Sequence, residues 1–413
     1  MILRHFLGDH AADAARTDHQ DSRHVVTFFR GSRNSSDDTG LAARDGNAQA
    51  SRNRAHETGY PARVSLRAVP VKDPLEWDAL VASFQHHSAL QGWGFGEARR
   101  VTDWTPTRLR LERDGVLFGA AQVLRRTQFG LGYLYCPRGP ALNTLDDLED
   151  AGKLLNDFAG VGDVSVTVEP PVPIPSSGDP GIIPSSLGMW HHASPIQPEH
   201  TVLIDTTKPP EALLKNMHEM ARRNTKTSLK EGVTAQTEAD FEAFWALFSE
   251  TNTRSKLLQR HRRYYEAMYL ECRAYGGVAE LITARQHGTP LATGMVIGLG
   301  KELCYLYGGS TRVEKIEGVK DPKASNGFYW GMLNYAHSHG FERLDLFGIP
   351  RVISSDKHSF GVYEFKMRLG GTMAYFPAYE LSLSPLSSLV NRVLRWRRNR
   401  QNLAARGTTQ DVL

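Results

Sequence analysis

A chain of 413 residues with 40% hydrophobic and 23% charged side chains is long enough for two cores of ordinary size. The formal net charge of +4 is small for that length, so a polyanionic partner has to be met by local clusters of Arg and Lys rather than by the field of the whole protein. Three cysteines, Cys136, Cys272 and Cys304, without CxxC or zinc spacing, exclude a disulfide framework and fit a reducing compartment. No stretch approaches about 18 consecutive apolar residues, and Arg4 and His5 interrupt the first seven, so the reading is of a soluble, cytoplasmic protein without a membrane span or signal peptide.

Residues 1–61 are rich in Asp, Arg, His, Ser, Asn and Gly and have little periodicity; they read as a disordered extension and carry no chemistry. Val64 to Val69 alternates like a strand, and Leu75 to Phe84 reads as a helix. Leu90-Gln-Gly-Trp-Gly-Phe-Gly-Glu-Ala-Arg99 contains the Q-x-x-G-x-G spacing of a pyrophosphate loop from acetyl-CoA-dependent enzymes. That loop normally follows the central hairpin of its fold, whereas here it precedes the first, so the cofactor reading is the weaker one.

An internal repeat sets the architecture. Arg113 to Leu124 and Arg285 to Ile297 are each a Gly-containing turn feeding an apolar strand. Each is followed by a second strand ending in the same tripeptide, Tyr133-Leu-Tyr135 or Tyr305-Leu-Tyr307, at nearly the same distance from its turn glycine, Gly115 or Gly288. A helix and a strand come next in both copies: Leu145 to Phe158 with Asp163 to Glu169, and Asn326 to His339 with Phe341 to Phe347. Hairpin, helix, strand is the order of a GNAT-like acyltransferase domain. Between the copies, Pro170 to Pro198 reads as a linker.

After the linker, Thr201 to Asp205 is a strand and Pro210 to Glu231 one helical segment. On it Arg222, Lys226 and Lys230 are four apart, with Arg223 beside them. Like charges at that spacing repel by about a few tenths of a kcal/mol, so the run is either a solvated face or a phosphate contact. Near the end, Gly361 to Gly371 reads as a strand. Asp345 and Lys366 place charges inside apolar runs, where burying either alone costs about several kcal/mol. Each therefore faces a cleft, a partner or a ligand, or else solvent from a half-exposed strand. The basic stretch Asn391 to Arg400, with Val393, Leu394 and Trp396 interleaved, suits an anionic membrane surface, a nucleic acid or a solvated terminal helix.

From Gln91 to Gly371 the chain resembles the FemABX family of non-ribosomal peptidyltransferases. The resemblance rests on the Gln91 to Arg99 segment, Tyr135-Cys-Pro-Arg-Gly-Pro140, the Arg222 to Val233 segment, Thr251-Asn-Thr-Arg254 with Tyr264-Tyr265, Tyr305-Leu-Tyr-Gly308, Asp345-Leu-Phe-Gly348, and Tyr363-Glu-Phe-Lys366 ahead of Gly370. It implies an α/β fold of two GNAT-like (acyl-CoA N-acyltransferase-like) domains in tandem, without a long coiled-coil arm and without a cofactor or metal. The expected divisions are 62–200, 201–376, and a segment 377–413 that packs back on the first domain and ends in the basic tail.

The activity implied is transfer of a Gly-, Ala- or Ser-class amino acid from aminoacyl-tRNA to the side-chain amine of the third stem-peptide residue of a UDP-linked or lipid-linked muramyl pentapeptide. A monomer is expected, with peripheral contact at the inner membrane face. The resemblance assigns Lys366 and Phe365 to transfer, and Arg99, Tyr135, Thr251, Arg254 and Tyr307 to the acceptor. Arg222, Arg223, Lys226 and Lys230 fall to the tRNA. Arg99 stands where Lys is usual, and a guanidinium fork meets phosphate differently from a point charge. An aminoacyl ester is already activated, so the enzyme has to orient two substrates and stabilise an oxyanion, a task suited to a fixed cation at Lys366. Asp345 is a candidate base or a structural partner of its loop. Two rival readings remain, an N-acyltransferase using acyl-CoA or acyl carrier protein and a non-catalytic RNA-binding module.

Overall fold

The computed structural model describes residues 64–406, apart from 129, 176–185, 256, 258, 313–319, 352 and 356–358; the extension read at residues 1–61 lies outside them. The first repeat begins with β1 (Leu66–Pro70), after which come the helices α1 (Pro74–Ala82) and α2 (Trp93–Ala98). Asp73 caps α1, its Oδ1 accepting the Glu76 N–H at 2.8 Å, with Pro74 in the first turn where no donor is needed. Strands β2 (Thr105–Arg113), β3 (Val116–Gln128) and β4 (Leu131–Cys136) form an antiparallel meander, and β5 (Ala141–Leu142) adds to β3. The crossover helix α3 (Leu148–Phe158) brings β6 (Asp163–Val168) parallel to β4.

Short strands β7 (Ile174–Pro175), β8 (Ser186–Leu187) and β9 (Trp190–Ala193) then lead to β10 (His200–Asp205). The second repeat follows through α4 (Pro210–Asn216), α5 (Glu219–Lys230), β11 (Val233–Glu238), α6 (Phe241–Arg254) and α7 (Arg262–Arg273). Its meander is β12 (Val278–Gln286), β13 (Thr289–Leu299) and β14 (Glu302–Ser310), and α8 (Ala324–Ser338) brings β15 (Arg343–Asp345) parallel to β14. The chain closes with α9 (Phe360–Met367), β16 (Thr372–Tyr375), β17 (Ala378–Ser382) and α10 (Ser387–Arg406). Both Tyr-Leu-Tyr tripeptides lie on the last strand of a meander, so the repeat read from the sequence is a repeat of structure.

The two sheets exchange strands. Among the described residues one sheet runs β1-β2-β3-β4-β6-β17-β9-β8 and the other β11-β12-β13-β14-β15-β10-β16-β7. Thus β7, from the first half, pairs with β16 in the second sheet, while β17, from the end of the chain, pairs with β6 and β9 in the first. A shared core adds to this: Trp77, Phe95 and Leu90 from the first half pack with Phe244, Met268 and Ile297 from the second. Each large apolar side chain buried there contributes about 1.5–3 kcal/mol, which fixes the segment 86–99 over the second sheet.

Three expectations are corrected. Gly361 to Gly371 is not a strand but the helix α9 and its exit turn. Val362, Phe365, Lys366 and Leu369 follow the i, i+3, i+4, i+7 pattern of one helical face, half-buried at Val362 and Phe365 and buried at Lys366 and Leu369, and a lysine at a core position hid it. Gly370, at φ 90°, ends the helix; a Cβ there would meet the Asn216 carbonyl oxygen at 2.7 Å. The segment Pro210 to Glu231 is two helices, α4 and α5, because His218 leaves helical geometry, donates its N–H to Arg368 O at 2.9 Å and accepts the Met220 N–H at 3.2 Å.

The strand at 341–347 shrinks to β15, since Phe347 at φ 55° turns the chain out of the sheet. The glycines of Q-x-x-G-x-G, for which the cofactor reading is already the weaker one, serve packing: a Cβ on Gly94 would stand 2.3 Å from Glu271 O, and one on Gly96 would stand 2.2 Å from Gln122 Oε1. Gln91 is fully buried, donating to Pro137 O and accepting the Gln122 N–H. This segment has no space for a pyrophosphate.

Candidate active site

A cavity of about 1810 Å³ opens beside β14, walled by α6 on one side and by α8 and α9 on the other. Its floor is made by the turn at Phe347 and Gly348, which the left-handed Phe347 folds back towards α9. Lys366 enters this turn from α9 and is buried. Its Nζ donates to three successive carbonyls, Leu346 O at 2.9 Å, Phe347 O at 2.8 Å and Gly348 O at 2.7 Å. Those bonds offset the desolvation of the ammonium and rigidify the turn. Burial pushes the Lys366 ammonium down to about 8, while Asp345 pulls the other way.

Asp345 does not open on the cavity. It is buried on β15 and accepts the Thr201 hydroxyl and the Phe347 N–H at 2.7 Å, so it holds the caging turn in register with β10. Burial pushes its carboxyl up despite Arg138. Phe365, next to Lys366, packs on Tyr329 with ring centroids 5.1 Å apart, and Tyr329 packs on Tyr305 at 5.5 Å. The Tyr305 ring lies 5.7 Å from Lys366 Nζ. Tyr305, Phe328 and Tyr329 are cavity residues to which the sequence reading gave no role. Tyr305 stood in the repeated tripeptide and Tyr329 on the apolar face of α8, but their meeting with Phe365 depends on α9 being a helix.

On the facing wall α6 presents Thr251 and Arg254. The Thr251 hydroxyl accepts the Ser310 N–H at 2.8 Å, and Arg254 donates to Ser310 O at 2.9 Å and Glu250 at 3.0 Å. The guanidinium is thereby held at the end of β14 with 26% of its side chain exposed. Thr251, Arg254, Tyr307, Phe365 and Lys366 all line the one cavity.

Arg99 and Tyr135 are placed differently. Arg99 is buried among the rings of Phe95, Trp104 and Tyr264, and donates to the Tyr264 hydroxyl at 3.1 Å. Tyr264 in turn bonds Tyr307 at 3.1 Å, so Arg99 reaches the cavity wall only through two phenols. Burial pushes the Tyr307 phenol well up, which suits it to donate rather than to act as a base. Tyr135 is buried and donates to Glu169 at 2.6 Å, and Glu169 also accepts the N–H groups of Ile196 and Gln197. It anchors the linker rather than lining the cavity.

The basic helix α5 lies at the rim, since its Asn224 lines the cavity. Arg223, Lys226 and Lys230 are exposed, and among the described residues no hydrogen bond or ion pair ties them down. Arg222 is half-buried and donates to Lys215 O at 3.1 Å. Among the described residues no cluster of three or more His, Cys, Asp or Glu could hold a metal ion, and no helix is long and apolar enough to cross a membrane.

Residues 187–282 and 272–378 match the model of the FemAB family. These matches span 187–378, just under half of the chain, and support the resemblance to the FemABX family read from the sequence. The matched span takes in α5, α6, β14, α8 and α9, all of which contribute residues to the cavity. Over 214 residues the chain is 27% identical to lipid II:glycine glycyltransferase from Staphylococcus aureus (strain COL), covering 47% of this chain and 49% of that protein. The same identity and coverage hold for the protein of that name from Staphylococcus aureus (strain N315). The chain thus spans about half the length of the curated relatives it matches. The crystal structure of FemX superposes with a TM-score of 0.67 at 20% identity, covering 79% of this chain and 100% of that one, which establishes the FemABX fold across both repeats.

Proposed function

We propose that this chain is an aminoacyltransferase of peptidoglycan assembly, moving an amino acid of the Gly, Ala or Ser class from aminoacyl-tRNA to the side-chain amine of the third stem-peptide residue of a muramyl-pentapeptide precursor. The observation that carries this reading is that the caged Lys366 lines the same cavity as Arg254 and Thr251, to which the basic helix α5 also contributes Asn224. The name carried by the similar curated proteins, lipid II:glycine glycyltransferase, supports the same class of reaction. The protein works in the cytoplasm as a monomer.

The acceptor amine attacks the ester carbonyl of the charged tRNA, forming a C–N bond; the C–O bond to the ribose then breaks, and the amine proton ends on the departing ribose oxygen. Lys366 supplies a fixed positive field for the oxyanion between those steps. Its three N–H groups are engaged by carbonyls, so it acts first by charge, and by direct donation only when the oxyanion displaces one carbonyl. Phe365, backed by Tyr329 and Tyr305, orients the aminoacyl end. Arg254 and Thr251 hold the acceptor's phosphates, and Arg223, Lys226 and Lys230 meet the tRNA backbone. Arg99 supports the acceptor wall through Tyr264 and Tyr307.

The acceptor side is tested by titrating UDP-linked muramyl pentapeptide into the wild type and Arg254→Ala and following heat. Loss of a charge-assisted contact weakens binding by about 10- to 100-fold. Equal affinities would remove Arg254 from the acceptor site.

A further inference from the structure

The helix α10 leaves the body of the protein at β17. Its first turn is anchored: Ser387 is buried and its hydroxyl donates to Ser382 Oγ at 2.9 Å, and Val390 is buried. On its outer side the helix presents Leu389, in that first turn, and then Trp396 and Leu403, exposed at 52%, 48% and 52%. Their seven-residue spacing aligns them along one face, and Leu386, also exposed, extends the line at its start. Single exposed apolar side chains are ordinary on a protein surface, but a stripe repeated over most of a 20-residue helix is not.

The charge on this helix is as one-sided as its apolar face. Its sequence holds six arginines and no Asp, Glu or Lys. Arg392 and Arg400 are exposed and stand three or four residues from members of the stripe, and the Arg400 guanidinium lies 5.5 Å from the Trp396 ring. Leu and Trp on one line, with Arg beside them and no acid, is the composition of a helix lying in a membrane interface: the apolar line enters the boundary of headgroups and chains, Trp sits at headgroup level and Arg meets phosphate.

We propose that α10 docks this protein on an anionic phospholipid surface. RNA would engage the arginines and stack on Trp396, but it offers nothing to Leu386, Leu389 and Leu403, whose removal from water is the favourable term. A second copy of the helix would bring arginine against arginine with no acidic partner. The inference goes beyond the transfer reaction, because it requires neither donor nor acceptor.

The test uses the full chain and sedimentation with vesicles. Wild type and the Leu389→Ser, Trp396→Ser, Leu403→Ser triple variant are mixed with vesicles containing phosphatidylglycerol, with pure phosphatidylcholine vesicles, and with tRNA. The three side chains are exposed, so the variant keeps its melting temperature. The expected result is that wild type sediments with the anionic vesicles, weakly with the neutral ones, and that the triple variant binds the anionic vesicles about tenfold less well. Arg392→Gln with Arg400→Gln weakens anionic binding and leaves neutral binding unchanged. Equal vesicle binding by wild type and the triple variant overturns the proposal, as does tRNA binding that the triple variant loses while vesicle binding is absent. Both read out even if the protein transfers nothing.

Discussion

Lys366→Met abolishes transfer, lowering kcat by about a thousandfold or more, while the protein remains folded. Met fills the volume of the lysine stem but leaves the carbonyls of Leu346, Phe347 and Gly348 without their common donor. An unsatisfied buried carbonyl costs about 1–3 kcal/mol, and the turn borders the cavity where water supplies part of the loss. With water replacing part of the three lost bonds, stability falls by about a few kcal/mol, and the melting temperature of the variant reads that cost separately from kcat. Lys366→Arg keeps the charge but cannot place one nitrogen within reach of all three carbonyls, and only partial activity is expected.

The pH dependence separates the charge from the cage. Because burial holds the Lys366 pKa at about 8 against an ordinary 10.5, transfer that needs the ammonium declines as pH rises through about 8. The stability effect has the opposite sign. Between those two values the unfolded chain binds the proton and the folded one does not, so the contribution of Lys366 to stability rises with pH across that window. Thermal unfolding of wild type and Lys366→Met across it checks the slope, which the variant lacks.

Glu302→Gln is the substitution expected to harm the fold most. Glu302, buried on β14, accepts the Ala89 N–H at 3.0 Å and is gripped by Arg343, whose shortest contact is 2.6 Å. Arg343 also donates to His87 O at 3.0 Å. One carboxylate thus joins the segment 86–99 to the second sheet, and its partner Arg343 lies on β15 two residues before Asp345 and the caging turn. Removing the partner of a buried charge costs about 3–5 kcal/mol.

Burial alone would push the Glu302 carboxyl up, but Arg343 and His87 outweigh it and hold it below the usual carboxylate range. Its contribution is complete above that range and is lost as pH falls through the folded-state pKa; the variant has no such acid limb. Thermal unfolding against pH checks both points. Pairing the change with Arg343→Leu recovers most of the stability, since no unmatched charge then remains, and failure to recover would assign the loss to the Ala89 contact instead.

The architecture was legible because the repeated hairpins carry it locally: turn glycine, apolar strand and Tyr-Leu-Tyr recur in order. Thr251, Arg254, Tyr307, Phe365 and Lys366 were picked out by resemblance, and they line one cavity. What the sequence hid has physical reasons. A lysine in the core position of α9 disguised a helix as a strand, and with it the meeting of Tyr305, Tyr329 and Phe365. The Gln91 to Gly96 segment looked like a phosphate loop because close helix packing and phosphate binding both call for glycine. Tyr135 and Arg99 sit behind the wall rather than on it, since sequence order carries no information on which side of a buried network faces solvent.

The most direct measurement is transfer of labelled amino acid from a panel of charged tRNAs to UDP-linked and lipid-linked muramyl pentapeptide, run beside labelled acetyl-CoA with the same acceptors. The expected result is label from one class of charged tRNA on the side-chain amine of the third stem residue, none from acetyl-CoA, and none in Lys366→Met. Label arriving from acetyl-CoA, or transfer from tRNA that survives Lys366→Met, would contradict it.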